Sequence, residues 1–128
     1  MKLLLDTCSF LWMALADRAL SRRAREAFVD PTNEVYLSAI SSWEIALKHA
    51  LGKLPLPEQP MLLIPEMRTR YRIEPLPLDE NAALAVAQLP TLHRDPFDRM
   101  LICQAIMGGL TLVTPDPLIR QYAVPTLW

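Results

Sequence analysis

Residues 93–100, "HRDPFDRM", gather two carboxylates, two guanidinium groups and an imidazole around one proline. Asp95 fits a helix N-cap with Pro96 in the first helical position. Asp98 then falls inside the first turn, at the positive end of the helix dipole. Three further acids stand at comparable places. Asp6 ends the apolar run "KLLL", Glu44 lies in the second turn of a predicted helix after "EVYLS", and Asp116 lies two residues beyond "LTLVT". Each has a purely structural reading. Asp6 can cap the helix that follows it, and Asp116-Pro117 repeats the cap grammar of Asp95-Pro96. Glu44 with Lys48 makes an i,i+4 ion pair worth about 0.2–0.5 kcal/mol.

Helical phase argues for more than caps. Ile40, Leu47 and Leu51 lie at i−4, i+3 and i+7 from Glu44, and Leu101, Ile102 and Ala105 lie at i+3, i+4 and i+7 from Asp98. Both carboxylates therefore share the apolar stripe of their helix, where a solvated acid does not belong. A buried, unpaired carboxylate is costly and tends to protonate, so these acids ask for a shared cation. Asp6, between Leu5 and an apolar helix, asks the same. Carboxylates without a Cys/His cluster form a hard oxygen site that suits Mg²⁺ or Mn²⁺ rather than zinc. His49 and His93 are single and widely separated, and His93 reads as a solvent or substrate contact. A divalent ion so held suits phosphoryl chemistry, because it lowers the pKa of a bound water and neutralises charge on the phosphorus oxygens. The basic candidates for meeting phosphate are Lys48, Lys53, Arg94 and Arg99, with Arg68, Arg70 and Arg72 further off.

The elements that must position these acids alternate between strands and helices. "KLLLD" reads as a strand leading into a helix through Phe10, Leu11, Ala14 and Leu15. Ser21 caps a second helix to about Asp30. "EVYLS" reads as a strand, and "AISSWEIALKHALG" as a helix closed by Gly52. After the proline-rich link "KLPLPEQP" come a helix around residues 61–71, a short strand in "RIEPLPL" and a helix from Glu80 to Gln88 capped by Asp79. The helix opened by "HRDPFDRM" runs to Met107 and ends at Gly108-Gly109. "LTLVT" is a strand, "DPLIRQY" a short helix and "VPTLW" a last strand. Such alternation implies βαβ crossovers and a parallel sheet covered on both faces. In that architecture sites form outside the carboxyl ends of the strands, where Asp6 and Asp116 fall.

At 128 residues, with 52% hydrophobic and 21% charged residues, the chain is most simply one globular domain over 1–128. The net charge of −1 provides no global field for nucleic acid, so a phosphate-bearing partner must be held locally. Cys8 and Cys103, each in apolar surroundings, read as small buried hydrophobes of a reducing cytoplasm rather than as a disulfide. The run before Cys8 is three leucines broken by Asp6, well short of a signal core of roughly 7–15 residues. No stretch approaches the ~18–20 apolar residues of a membrane span. A soluble, cytoplasmic protein is expected.

"LLLDT", "SSWEIALKHALGKL", "HRDPFDRMLICQA" and "TLVTPDPLIRQY" together resemble the PIN-domain ribonucleases, above all the VapC-type toxins of bacterial and archaeal toxin–antitoxin pairs. The resemblance covers essentially the whole chain. It implies a three-layer α/β/α sandwich with a central parallel sheet and Mg²⁺- or Mn²⁺-dependent cleavage of RNA. It also implies a cognate antitoxin, and a homodimer that joins antitoxin in larger hetero-oligomers. Asp6, Glu44, Asp98 and Asp116 match the four acids of the family's catalytic metal site. Thr7 and Thr114 match hydroxyl positions beside it, Asp95 matches an extra acid of the "DPFD" subgroup, and Arg99 joins the substrate-binding candidates. Cys8 stands where relatives often carry other small or polar residues. Two other classes are weighed against a toxin nuclease. A phosphoryl-accepting signalling domain wants a lysine after its last strands, whereas the last lysine here is Lys53. A catalytically silent PIN-like module that binds RNA or protein is disfavoured because all four acidic positions are filled.

Overall fold

The computed structural model describes residues 1–128 as five strands and six α-helices. In chain order they are β1 (Lys2–Leu5), α1 (Thr7–Ala14), α2 (Arg22–Val29), β2 (Glu34–Ser38), α3 (Ala39–Ala50), α4 (Pro60–Tyr71), β3 (Ile73–Leu76), α5 (Glu80–Ala85), α6 (Pro96–Gly108), β4 (Thr111–Val113) and β5 (Thr126–Leu127). The sheet order is β3-β2-β1-β4-β5 and every pairing is parallel. β1 lies at the centre because its leucines are apolar on both faces. Leu3 and Leu5 pack with Phe10, Phe28, Leu63 and Met67 on one side. Leu4 packs with Leu101, Ile102, Leu112 and Ile119 on the other. One apolar cluster per face makes the three-layer α/β/α sandwich expected from the sequence.

Register fixes where a site can form. Leu5 lies opposite Leu37 of β2 and Val113 of β4. Asp6, Ser38 and Thr114 therefore follow at one level, at the carboxyl edge of the sheet. α6 returns the chain from β3 to β4, so it runs against the strands and its first turn lies at that same edge. Asp6, Ser21, Ser38, Asp79 and Asp95 each accept an amide of the first turn of the helix that follows. Such caps contribute about 1 kcal/mol apiece. α6 stops at Gly109, whose φ of 64° is the left-handed conformation that glycine adopts without strain.

Two helices are shorter than expected. The segment from Glu80 to Gln88 is α-helical only to Ala85 and finishes as a 3₁₀ turn, Val86–Gln88. Pro90 forces Leu89 into extended backbone and ends the helix early. "DPLIRQY" yields only a 3₁₀ turn at Ile119–Gln121, too short to offset helix nucleation. Cys8 and Cys103 are both free thiols, the first half-buried and the second buried. No helix is long and apolar enough to cross a membrane.

Candidate functional site

A cleft of about 400 Å³ at the carboxyl edge is lined by Asp6, Glu44, Asp95, Asp98 and Asp116 together with Lys48 and Lys53. Asp6 closes α1. Its Oδ1 accepts the Ser9 amide at 2.8 Å, and Cys8 Sγ stands 3.3 Å from the same oxygen. The residue is 3% exposed, and burial pushes its carboxyl above the ordinary range against the hydrogen bonds of Ser9, Thr114 and Cys8.

Glu44 enters from the second turn of α3. The Thr7 hydroxyl donates to its Oε1 at 2.6 Å and lies 3.0 Å from Ser41 Oγ, while Lys48 Nζ pairs with Oε2. The ion pair and the buried position thus coexist. The apolar stripe expected around Glu44 holds only in part. Ile40, Ser41, Glu44 and Ile45 face inward, but Leu47 and Leu51 are 39% and 60% exposed. An inward face this narrow leaves the outer leucines to solvent, so periodicity alone overstated the stripe.

At α6, Asp95 Oδ1 accepts the amides of Phe97 at 2.8 Å and Asp98 at 3.1 Å, the cap expected of it. Asp98 heads Leu101, Ile102 and Ala105, all wholly buried. Its carboxyl is pushed up to about 7, first by burial and then by the charges of Asp95 and Asp6, with His93 opposing and Glu44 adding to the rise. Asp116 Oδ1 accepts the Leu118 amide at 2.8 Å, a local turn ahead of the 3₁₀ turn at Ile119–Gln121 and not the helix cap expected of it. The fully buried Thr114 hydroxyl accepts the Asp116 amide at 3.1 Å and shapes that turn.

Four residues stand differently from their sequence reading. His93 is buried, and its Nε2 lies 2.9 Å from Asp98 Oδ2 and 3.1 Å from Asp116 Oδ2. It is a contact between acids and not a solvent contact. Arg99 does not line the cleft. Its guanidinium donates to the carbonyls of Val86, Leu89, Pro90 and His93 and to Tyr122 Oη, at 2.9–3.3 Å. A turning segment has carbonyls with no ladder partner, and the forked donors of arginine satisfy several at once. Among the distant arginines, Arg68 donates to the carbonyls of Leu37 and Ile73, and Arg70 pairs with Glu66. Tyr122, unmarked in the sequence, supports the same segment. Five carboxylates against two ammonium groups leave a partly buried excess of negative charge, which favours a cation.

Comparison with known proteins agrees with this architecture. The PIN domain family model matches residues 3–125. Ribonuclease VapC22 of Mycobacterium tuberculosis is 28% identical over 128 residues, covering 98% of this chain and 97% of that protein. Ribonuclease VapC16 of the same organism is 44% identical over 50 residues, which span 39% of this chain and 36% of VapC16. The crystal structure of VapBC2 from Rickettsia felis, bound to a DNA fragment from their promoter, shares the fold. Its TM-score is 0.75 at 16% identity, over 99% of this chain and 98% of that one. With the family model spanning nearly its whole length, the chain belongs to the PIN-domain family, and within that family it is similar to VapC-type proteins.

Proposed function

We propose that the protein is a Mg²⁺- or Mn²⁺-dependent endoribonuclease acting as the toxin of a toxin–antitoxin pair. One observation carries this reading: Asp6, Glu44, Asp98 and Asp116 meet in one cleft, where burial and neighbouring acids push Asp98 up to about 7. The donor set fits a hard divalent ion, because it consists of carboxylate oxygens at a site rich in negative charge. Asp6, Glu44 and Asp98 would hold the ion, with Asp116 completing the set or holding a second one. When bound, such an ion lowers the pKa of water and neutralises charge on phosphorus oxygens.

The remaining work falls to the chain. Thr7 orients Glu44 through its 2.6 Å hydrogen bond, and Thr114 orients the Asp116 turn. Lys48 and Lys53, on the wall of the cleft, would meet the phosphates of a bound strand. Asp95 holds the first turn of α6 and thereby the direction of Asp98. In-line attack of water on phosphorus would break the bond to the 3′-oxygen, which takes up a proton. The ends left are 5′-phosphate and 3′-hydroxyl.

The likeness to VapC-type proteins and to a VapBC complex supports an antitoxin partner, and the proposed reading extends to a homodimer within toxin–antitoxin hetero-oligomers and a cytoplasmic setting. Trp43, Leu51, Met61 and Leu62, on and beside α3 and α4, are each more than half exposed and offer apolar surface to a partner chain. The test is cleavage of RNA by the purified protein with Mg²⁺, Mn²⁺ or chelator, beside Asp6→Asn, with sequencing of the ends. Ion-dependent cleavage lost in Asp6→Asn is expected. Cleavage that survives both chelator and substitution would refute the reading. Binding without cleavage under either ion would leave a silent RNA- or protein-binding module.

A further inference from the structure

Asp98 and Asp116 come from different elements, and one imidazole joins them. His93 is 9% exposed, with Nε2 at 2.9 Å from Asp98 Oδ2 and 3.1 Å from Asp116 Oδ2. Across the ring, Nδ1 accepts the amide of Asp95 at 3.3 Å. A ring nitrogen that accepts an N–H carries no hydrogen itself, so the neutral imidazole bears its hydrogen on Nε2, aimed at the two carboxylates. This tautomer makes His93 a donor to acids and not an ion ligand. Ligation through Nε2 would move the ring hydrogen to Nδ1, where the Asp95 N–H already points.

The ring is itself held in place. Tyr122 Oη accepts the amides of Leu92 and His93 at 3.0 and 2.8 Å and donates to the Pro90 carbonyl at 2.7 Å. Arg99 grips the same segment through the carbonyls of Pro90 and His93. Arg99 directly follows Asp98 in α6, and Tyr122 lies shortly beyond Asp116. The clamp therefore ties together the two elements that carry the two acids. Asp116 needs this most, since its side chain is 29% exposed against 20% for Asp98.

We propose that His93 is a positioning residue: a neutral, Nε2-protonated imidazole that holds Asp98 and Asp116 at one spacing and so recruits Asp116 to the ion-binding set. This rests on the metal-dependent reading above and adds how the fourth acid is brought in.

The test compares His93→Gln, which returns an amide N–H close to the position of Nε2, with His93→Leu, which fills the space without a donor. Mn²⁺ binding to the full chain is read by the electron paramagnetic resonance of free Mn²⁺. Leucine should weaken binding about 10–100-fold, the range for lost outer-shell partners, and glutamine should restore most of it. Unchanged affinity in His93→Leu, with tight binding by the wild type, would overturn the positioning role alone. Wild-type protein that takes up no Mn²⁺ would overturn the metal-dependent reading, and this role with it. Nitrogen-15 spectra of the wild-type ring give a second measurement that needs no variant to fold. The Nε2–H tautomer should persist when Mg²⁺ is added, whereas a switch to Nδ1–H would make His93 a ligand and overturn the proposal.

Discussion

The two halves of the acidic cleft are built on different principles. In one half, Asp6 and Glu44 each have their own short-range partners. Ser9 lies three residues after Asp6, and Lys48 four residues after Glu44, with Thr7 as the bridge between them. In the other half, Asp98 and Asp116 share a single imidazole, which is placed by Arg99 and Tyr122 through contacts that span residues 86–122. In the first half each acid has a local partner of its own, and one long-range hydrogen bond, from Thr7 to Glu44, joins the two elements. The second depends on tertiary contacts and carries the carboxyl raised to about 7. A site can thus combine acids that each keep a local partner with acids that share one tertiary partner.

The comparison can be broken at several points. The largest effect should come from either half equally: Asp6→Asn or Asp98→Asn lowers RNA cleavage by at least about 100-fold, the order lost when a preorganised charge is removed. Asparagine still accepts an amide, so Asp6→Asn keeps the cap of α1 and its circular dichroism should be unchanged. Retained cleavage in one of the two would show that only one half does chemistry.

Acid titration probes the buried acids of both halves next. The folded-state value of Asp98, about 7, lies above its ordinary 3.8, so the folded chain takes that proton more readily than the unfolded one. The metal-free protein should therefore gain melting temperature as pH falls from about 8 to about 5, and lose it as pH rises through the folded value. Asp6, also raised, acts in the same direction. Added Mn²⁺ should raise the melting temperature most at the alkaline end. A melting temperature that falls steadily over that acidification contradicts the raised values.

Smaller effects test the supports. Tyr122→Phe strips the acceptor from two amides and should cost about 1–3 kcal/mol in chemical denaturation. Asp95→Ala removes the cap of α6 and should cost about 0.5–2 kcal/mol, with a smaller loss of cleavage than Asp98→Asn. Equal loss of cleavage in those two, at unchanged stability, would make Asp95 a functional acid in its own right. Lys48→Met strips the cation from a Glu44 side chain that is only 7% exposed, so in chemical denaturation it should cost more than the roughly 0.2–0.5 kcal/mol of an exposed i,i+4 pair.

The same division decides what could be read from the sequence. Strand order aside, the elements are written in local signals: the apolar run of β1, the caps Asp6, Ser21, Asp79 and Asp95, and Gly109 after α6. Asp98 was legible because Leu101, Ile102 and Ala105 repeat at helical spacing behind it. His93 was not legible. It stands outside the helix, five residues before one partner and 23 before the other, and no periodicity links such positions. Arg99 misled for the opposite reason: its neighbour Asp98 faces the cleft, but one step along a helix turns a side chain by more than a quarter circle. Leu47 and Leu51 show that an apolar stripe marks a surface that avoids water without saying whether this chain or another covers it.

Asp6 has one oxygen committed to the start of α1 while its carboxylate still lines the cleft. The shape of the cleft is thereby inherited from the helix and needs no guest to create it. Small zinc domains acquire their fold and their ion in one event; under the proposed function this chain would complete its fold first and load an ion afterwards. Its activity would then follow the free divalent ion around it, as a dial that turns without unmaking the protein.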